Sequence, residues 1–325
     1  MTSTTFAPDE LFDVAAMPST AKIVHHVLAC WPDHGKFLRA SFAERLPRLL
    51  QTTETISEMI IRLGATVQKG IDGLAEDYRF LCEQIVYPEE LYFRRHGEYR
   101  LQHFEDALEQ VYANAPFMTR YMHGLLVSDA MWVNHASALD HLAHIYLPRV
   151  ADGARHLEVG PGHGLLMCLA LRSRQIAYFE GWDISETSLS HTRQALNLLD
   201  SEGQVALKRR DLFSTEVRSR ANAGLFDSIV LSEVLEHVEQ PLIALKTLYH
   251  LSRPGGLVWV NVPANAPAPD HLFLLRDPAQ AAALVKEAGF EVEATAMFPQ
   301  AGVSIDRAVR QRLAVSCIVV GRKPR

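Results

Sequence analysis

Cysteine is scarce: Cys30, Cys82, Cys168 and Cys317 are widely scattered, with no paired spacing to suggest a zinc site or a disulfide framework, and a reducing compartment suits them. Long apolar runs are missing too. No stretch reaches the roughly 18 residues read as a membrane-spanning helix. The opening MTSTTFAPDE lacks a basic segment followed by an apolar one, so the expected location is cytoplasmic, with no membrane partner. Basic residues are not in excess, since 32 lysines and arginines stand against 38 acids for a formal charge of -6. The short clusters Lys208-Arg209-Arg210 and Arg307, Arg310 and Arg312 read as solvated faces, and no nucleic-acid partner is expected. There is no internal repeat or low-complexity tract, although NVPANAPAPDH (261–271) is proline-rich enough to be stiff.

What is present is an ordinary globular composition over 325 residues, more than one hydrophobic core usually organises. Two domains are expected. From about Asp152, short β-type runs alternate with helical stretches, the pattern of a parallel sheet covered by helices. ARHLEV (154–159), AYFEGW (177–182), QVALKRRD (204–211), FDSIVLS (226–232) and LVWVNVP (257–263) are the first five strands. Helices are expected from Gly164, through SLSHTRQALNLL, over Pro241 to Leu251 and over AQAAALVKEAG, with FEVEATAMF and LAVSCIVVGR closing the chain as an antiparallel pair.

Before Asp152 the character is helical, in ISEMIIRLG (56–64) and IDGLAEDYRFLCEQ (71–84). LYFRRHGEYRL (91–101) then sets aromatic and β-prone residues either side of Gly97, which predicts a hairpin. Helix, helix, hairpin is the order of a winged-helix unit. Its second helix carries Asp72, Glu76, Asp77 and Glu83 against one arginine, a charge that repels a phosphate backbone.

The turn Glu158-Val159-Gly160-Pro161-Gly162-His163-Gly164 follows the first strand and opens a helix. Glycines let the backbone pass beneath a bulky ligand, and the helix start offers free N–H groups. Alone this indicates only a nucleotide-like ligand. Asp183 ends the second strand, where a carboxylate accepts from both ribose hydroxyls; Asp211 follows the third, where an acid accepts from an adenine amine. Glu158, just before the glycines, suits a ligand ammonium and would repel a pyrophosphate, which argues against NAD.

On these residues the second half resembles the class I S-adenosylmethionine-dependent methyltransferases: HLEVGPGHG resembles the first motif, GWDIS the ribose acid, RRDLF the adenine segment, and FDSIVLSEVLEHV the fourth strand with its loop. The resemblance implies an α/β fold, a Rossmann-like seven-stranded methyltransferase sheet with a mainly helical N-terminal domain, and S-adenosyl-L-methionine as cofactor. It implies cofactor contacts at Glu158, Gly160, Gly162, Asp183, Ile184, Asp211, Leu212 and Ser232.

The first half more loosely resembles the winged-helix dimerisation domain of small-molecule O-methyltransferases, through YRLQ and VYANAPFMTRYMHGLL. That likeness implies a dimerisation and lid domain over residues 1–115, linking helices over 116–150, a catalytic domain over 151–325, and a homodimer. The helix from Pro116 to His135 would then pass over the cofactor, bringing Tyr121, Met122, Trp132 and Asn134 toward a small-molecule acceptor. Tyr178 and His271 complete the expected substrate contacts.

A sulfonium methyl group is already activated, so catalysis is alignment, exclusion of water and, for a hydroxyl acceptor, a base. His237, with Glu233 in SEVLEHV and Asn134, forms the expected catalytic set, His237 as the base. Glu233, Glu236 and His237 with His271 also resemble the metal constellation of small-RNA 2′-O-methyltransferases. The base reading stands first and assigns no metal. Two other activities use the same cofactor site. The helical front resembles azetidine-2-carboxylate synthases, in which the cofactor's amine attacks its own γ-carbon; Asn134 or Tyr178 would orient the amine, and Glu158 would oppose the reaction. A ligand-sensing winged-helix regulator is the third reading.

Overall fold

The computed structural model describes residues 7–201 and 205–325. The first six residues of the opening segment, and Gln204 at the expected start of the third strand, lie outside the described residues.

The first part is a layer of helices: α1 (Pro18–Cys30), α2 (Gly35–Phe42), α3 (Pro47–Leu63), α4 (Ile71–Phe80), α5 (Tyr87–His96), α6 (Phe104–Ala107), α7 (Ala115–Met131) and α8 (Val133–His141). Among the described residues no strand precedes Ala154, so the expected wing is absent. Leu91 to His96 instead complete α5, and Gly97 adopts φ 72° as the left-handed residue after its end, donating its N–H to Phe93 O at 2.7 Å. Charge explains the helix: Glu89 and Glu90 lie in its first turn and Arg94, Arg95 and His96 in its last, matching the helix dipole. The β-prone aromatics and the glycine mimic a hairpin because a helix stop and a tight turn need the same positive φ.

The second part is a seven-stranded sheet of β1 (Ala154–Val159), β2 (Ile176–Asp183), β3 (Val205–Arg209), β4 (Phe226–Ser232), β5 (Ser252–Ala264), β6 (Glu291–Pro299) and β7 (Val315–Arg322), in the order β3-β2-β1-β4-β5-β7-β6. β1 to β5 are parallel and β7 runs antiparallel to both neighbours. The expected Rossmann-like sheet is therefore present, with α9 (Leu165–Ala170), α10 (Glu186–Leu198), α11 (Pro241–Leu251), α12 (Ala279–Glu287) and α13 (Ile305–Gln311) between its strands. The order reverses between β1 and β4, the place where such sheets open a crevice beyond their carboxyl ends.

Each face of the sheet buries its own apolar cluster. Leu245, Leu248 and Val285 cover one face with Phe226, a side chain whose burial contributes about 1.5–3 kcal/mol. On the other face a single cluster runs from Ile56, Tyr78 and Leu81 of the helical layer through Tyr146 to Trp259 of β5. The layer thus shares its core with the sheet. Buried Arg45 fixes the corner between α7 and α8, donating to the carbonyls of Ala130 at 2.9 Å and Met131 at 3.1 Å, where a helix end presents unpaired acceptors. Among the described residues no helix is long and apolar enough to cross a membrane.

Candidate functional site

Gly160, Gly162 and Gly164 adopt φ of 71°, 54° and 81°, a backbone open to glycine and strained for other residues. The turn is also tightly enclosed: a Cβ on Gly160 would lie 2.5 Å from Val234 Cγ2, and one on Gly162 would lie 3.5 Å from Met122 Cε. The loop after β4 and helix α7 therefore both touch the turn. The helix expected to run from Pro116 to His135 is broken at Trp132, whose extended backbone separates α7 from α8; α7 itself lies against the turn, and Asp129 near its end meets His163 of the turn, Oδ2 to Nε2 at 3.3 Å.

Glu158 is the last-but-one residue of β1, beneath the turn. It is 1% exposed, its Oε2 has no partner, and burial alone pushes its carboxyl up to about 8. A buried carboxyl without a donor costs stability and marks a place where a ligand supplies the missing group. Asp183, at the end of β2, accepts from Ser185 N at 2.8 Å and from Ser188 Oγ at 2.5 Å, so it is tied to the start of α10, which Ser185 caps, while its remaining lone pairs stay free. Burial holds its carboxyl above the ordinary value. Ile184 beside it is 48% exposed, an apolar surface open to a flat ring. Asp211 accepts from Phe213 N at 2.8 Å. Leu212 departs from expectation: its side chain joins the core cluster beneath the sheet and its carbonyl accepts from Thr247, so it is a packing residue rather than a ring contact.

Beyond β4 the backbone turns sharply. Glu233 is left-handed at φ 52°, held by its N–H to Asn261 O at 2.9 Å and by Asn261 Nδ2 on its Oε1 at 2.8 Å. Such strain costs on the order of 1–3 kcal/mol and concentrates at working sites. Ser232 shares the same amide, accepting from Asn261 Nδ2 at 3.0 Å. Glu236 follows on the short helical turn Leu235–His237, fully buried, with neither carboxyl oxygen bonded to a donor. Burial and the adjacent Glu233 charge push it well above the carboxylate range, and burial raises Glu233 as well. The Glu236 carbonyl accepts from Leu272 N at 2.7 Å and Phe273 N at 2.9 Å, which clamps the loop after β5 against this turn. That clamp brings His271 to His237, ring centres 4.9 Å apart and edge-on.

Tyr121 on α7 donates its hydroxyl to Asp270 Oδ1 at 3.1 Å, and Tyr112 donates to Oδ2 at 3.1 Å, so the helical layer reaches this loop too. Asn134 is buried and donates to Ser316 Oγ at 3.1 Å, near the carboxyl end of β5, where Ser316 pairs with Pro263. Two expected contacts lie elsewhere. Trp132 turns its Nε1 to Tyr78 Oη at 2.9 Å and packs in the helical core. Tyr178, third residue of β2, donates to Glu180 Oε2 and lies under the Arg155 guanidinium, about 16 Å along the strand from Asp183. A strand residue's distance from the carboxyl edge, countable in the sequence, excludes it.

Asp129, His135 and His163 are the group that sequence reasoning missed. His135 Nδ1 lies 3.0 Å from Ser128 Oγ and 3.7 Å from Asp129 Oδ1. Burial pulls the His135 imidazole down, but the Asp129 hydrogen bond and the Glu233 and Asp129 charges outweigh it and hold it above its ordinary value. Burial lowers His163. The available signal was polarity inside an apolar helical stretch, the signal that marked Asn134.

A family model described as a methyltransferase domain matches residues 131–295. A ubiquinone biosynthesis O-methyltransferase of Neisseria meningitidis is 27% identical over 173 residues, covering 46% of this chain and 70% of that protein. One of Xanthomonas campestris pv. campestris is 32% identical over 131 residues, covering 40% of this chain, which spans about half the length of that relative, 50%. Among solved structures, an S-adenosylmethionine dependent methyltransferase from Mesorhizobium loti is 18% identical with a TM-score of 0.43, covering 57% of this chain and 98% of that one.

Proposed function

The chain belongs to the methyltransferase-domain family, and on that premise we propose that it transfers a methyl group from S-adenosylmethionine to a hydroxyl of a small molecule, in specialised metabolism. The observation that carries this reading is Glu158, a buried carboxyl with an unpartnered oxygen at the foot of a turn that only glycines can build. The cofactor, when bound, supplies an activated methyl group. Glu158 would hold its ammonium, the Gly160–Gly162 backbone would pass beneath it, and Asp183 and Asp211 would take its ribose and adenine ends, beside Ile184.

The acceptor side follows from what covers the turn. α7 and α8 bring Met122, Tyr121, Asp129, His135 and Asn134 from this same chain, so closing the site needs no second subunit. With the wing gone, the expected homodimer loses the feature that suggested it. A covered site of this kind suits a small acceptor over a nucleic acid. His237 directs Nδ1–H to the Asp270 carbonyl at 3.0 Å, which leaves its Nε2 lone pair free to take the hydroxyl proton. Glu233 would stabilise the resulting imidazolium, and Asn134 would orient the acceptor.

Self-cyclisation fares worse. Tyr178 lies far from the carboxyl edge, and a carboxylate on the ammonium would restrain the amine that must attack. Incubation of the protein with S-adenosylmethionine, with and without a panel of hydroxylated aromatic acids, separates the two. S-adenosylhomocysteine formed only with an acceptor is the expected outcome; methylthioadenosine released without one would overturn it.

A further inference from the structure

Met122 and Asp129 stand seven residues apart on α7, about two helical turns, and so lie on one face of the helix. Met122 reaches Gly162, where a Cβ would lie 3.5 Å from Met122 Cε, and Asp129 reaches His163 at 3.3 Å. The helix therefore lies along the glycine turn with a carboxyl over it. The bond to the turn has one sense. His163 Nδ1 accepts from Leu165 N at 3.3 Å, so the ring proton sits on Nε2 and is donated to Asp129 Oδ2. Burial lowers the His163 imidazole, which keeps this partner neutral.

The other carboxyl oxygen is less well matched. Oδ1 has a long contact, 3.7 Å, to His135 Nδ1. That ring proton is given nearer by: Ser128 donates its one hydroxyl proton to Leu125 O at 2.7 Å, so the 3.0 Å contact between Ser128 Oγ and His135 Nδ1 takes its proton from the imidazole. Any charge on His135 is shared with Glu233. Among the described residues Asp129 forms ion pairs with imidazoles alone, and no lysine or arginine answers it. Its side chain is 12% exposed, so water answers it poorly too.

Covalent order says what passes this carboxyl. In S-adenosylmethionine the sulfur joins the amino-acid chain to the ribose, so a molecule held by its ammonium at Glu158 and by its ribose at Asp183 carries its sulfur across the turn between them, the stretch that α7 covers. Resting on the methyl-transfer reading, we propose that Asp129 faces the sulfonium and makes the site prefer the cationic cofactor to its neutral product. Methyl transfer forms the O–CH3 bond and breaks the S–CH3 bond, whose electron pair stays on sulfur, while the hydroxyl proton passes to His237 Nε2. S-adenosylhomocysteine thus leaves without the sulfur charge, and the attraction of Asp129 ends with the methyl group. That charge is already fading in the transition state, so Asp129 stabilises bound cofactor at least as well as the transition state. It acts on cofactor KM and on product exchange, and adds nothing to kcat.

S-adenosylmethionine and S-adenosylhomocysteine, titrated separately by calorimetry with no acceptor present, test this without a turnover measurement. Asp129→Asn is expected to lose about 10-fold or more in affinity for S-adenosylmethionine and to bind S-adenosylhomocysteine within about 3-fold of wild type. Asp129→Glu keeps the charge and should keep most of the preference. A purely structural Asp129 would move both ligands together, and Asp129→Ser serves where the asparagine variant unfolds. An equal loss for the two ligands, or no loss for either, overturns the proposal while leaving the cofactor reading in place. Failure of wild type to bind either ligand would instead remove the cofactor reading, and the role of Asp129 with it.

Discussion

Glu158 and Glu236 are both sealed from solvent at the carboxyl edge of the sheet, the first just before β1 ends at Val159 and the other just past its neighbour β4. Neither has a lysine or arginine among the groups that act on it, yet their surroundings differ. Glu158 is a single carboxyl beneath a glycine turn, with an unpartnered oxygen and no ionised group acting on it. Glu236 faces a second carboxyl and two imidazoles whose lone pairs are set by backbone carbonyls. A lone buried carboxyl is answered by one positive charge with hydrogens to give, such as an ammonium; of two buried carboxyls side by side, each raises the cost of ionising the other. Burial raises both carboxyls, and at Glu236 the neighbouring Glu233 adds to it.

The largest effect should come from Glu158→Gln, which removes a charge-assisted hydrogen bond of about 1.5–3 kcal/mol, so S-adenosylhomocysteine affinity should fall by about 10- to 150-fold, whereas Glu236→Gln should leave that affinity unchanged. An equal loss in both variants would merge the two carboxyls into one site. The same residue carries a pH signature. Its folded value of about 8 lies above the ordinary 4.5, so between those values the unfolded chain has released a proton that the folded apo chain retains, and apo stability falls as pH rises through that window. Ligand binding needs the ionised form, so affinity should strengthen by about 10-fold or more from pH 6 to 8 in wild type and stay flat in the variant. A parallel slope in both would remove Glu158 from the ammonium site.

Asp183→Ala should cost less, about 10-fold in affinity, because each carboxylate oxygen already serves Ser185 N or Ser188 Oγ and is shared with the ribose. Calorimetry showing no change would move the ribose elsewhere. Smallest is Trp132→Phe, which deletes the indole bond to Tyr78 and should lower stability by about 0.5–1.5 kcal/mol in urea unfolding, with ligand affinity unchanged. A selective loss of acceptor turnover would return Trp132 to the site.

The sheet was legible because its strands are short apolar runs set off by turn residues: ARHLEV and FDSIVLS coincide with β1 and β4, Asp183 ends β2, and Asp211 follows β3. The helical layer was less so. Gly97 reads equally as a hairpin turn or as the residue that ends α5, and the choice rests on charges spread over the two preceding turns. Leu212 and Trp132 looked like ring contacts because an apolar residue beside a site and one inside a core have the same chemistry, and only the direction of the side chain tells them apart.

The sequence by itself determined the order of the elements, the glycine turn and the identity of each acid at a strand end, because these depend on periodicity and local backbone geometry. Tertiary structure alone decided which groups meet. Asp129 reaches His163 across 34 residues and His271 reaches His237 across a loop clamped by the Glu236 carbonyl, contacts set by packing between distant segments. It also decided that Glu158 and Glu236 are left without partners, since a group's unmet hydrogen bonds depend on everything that surrounds it.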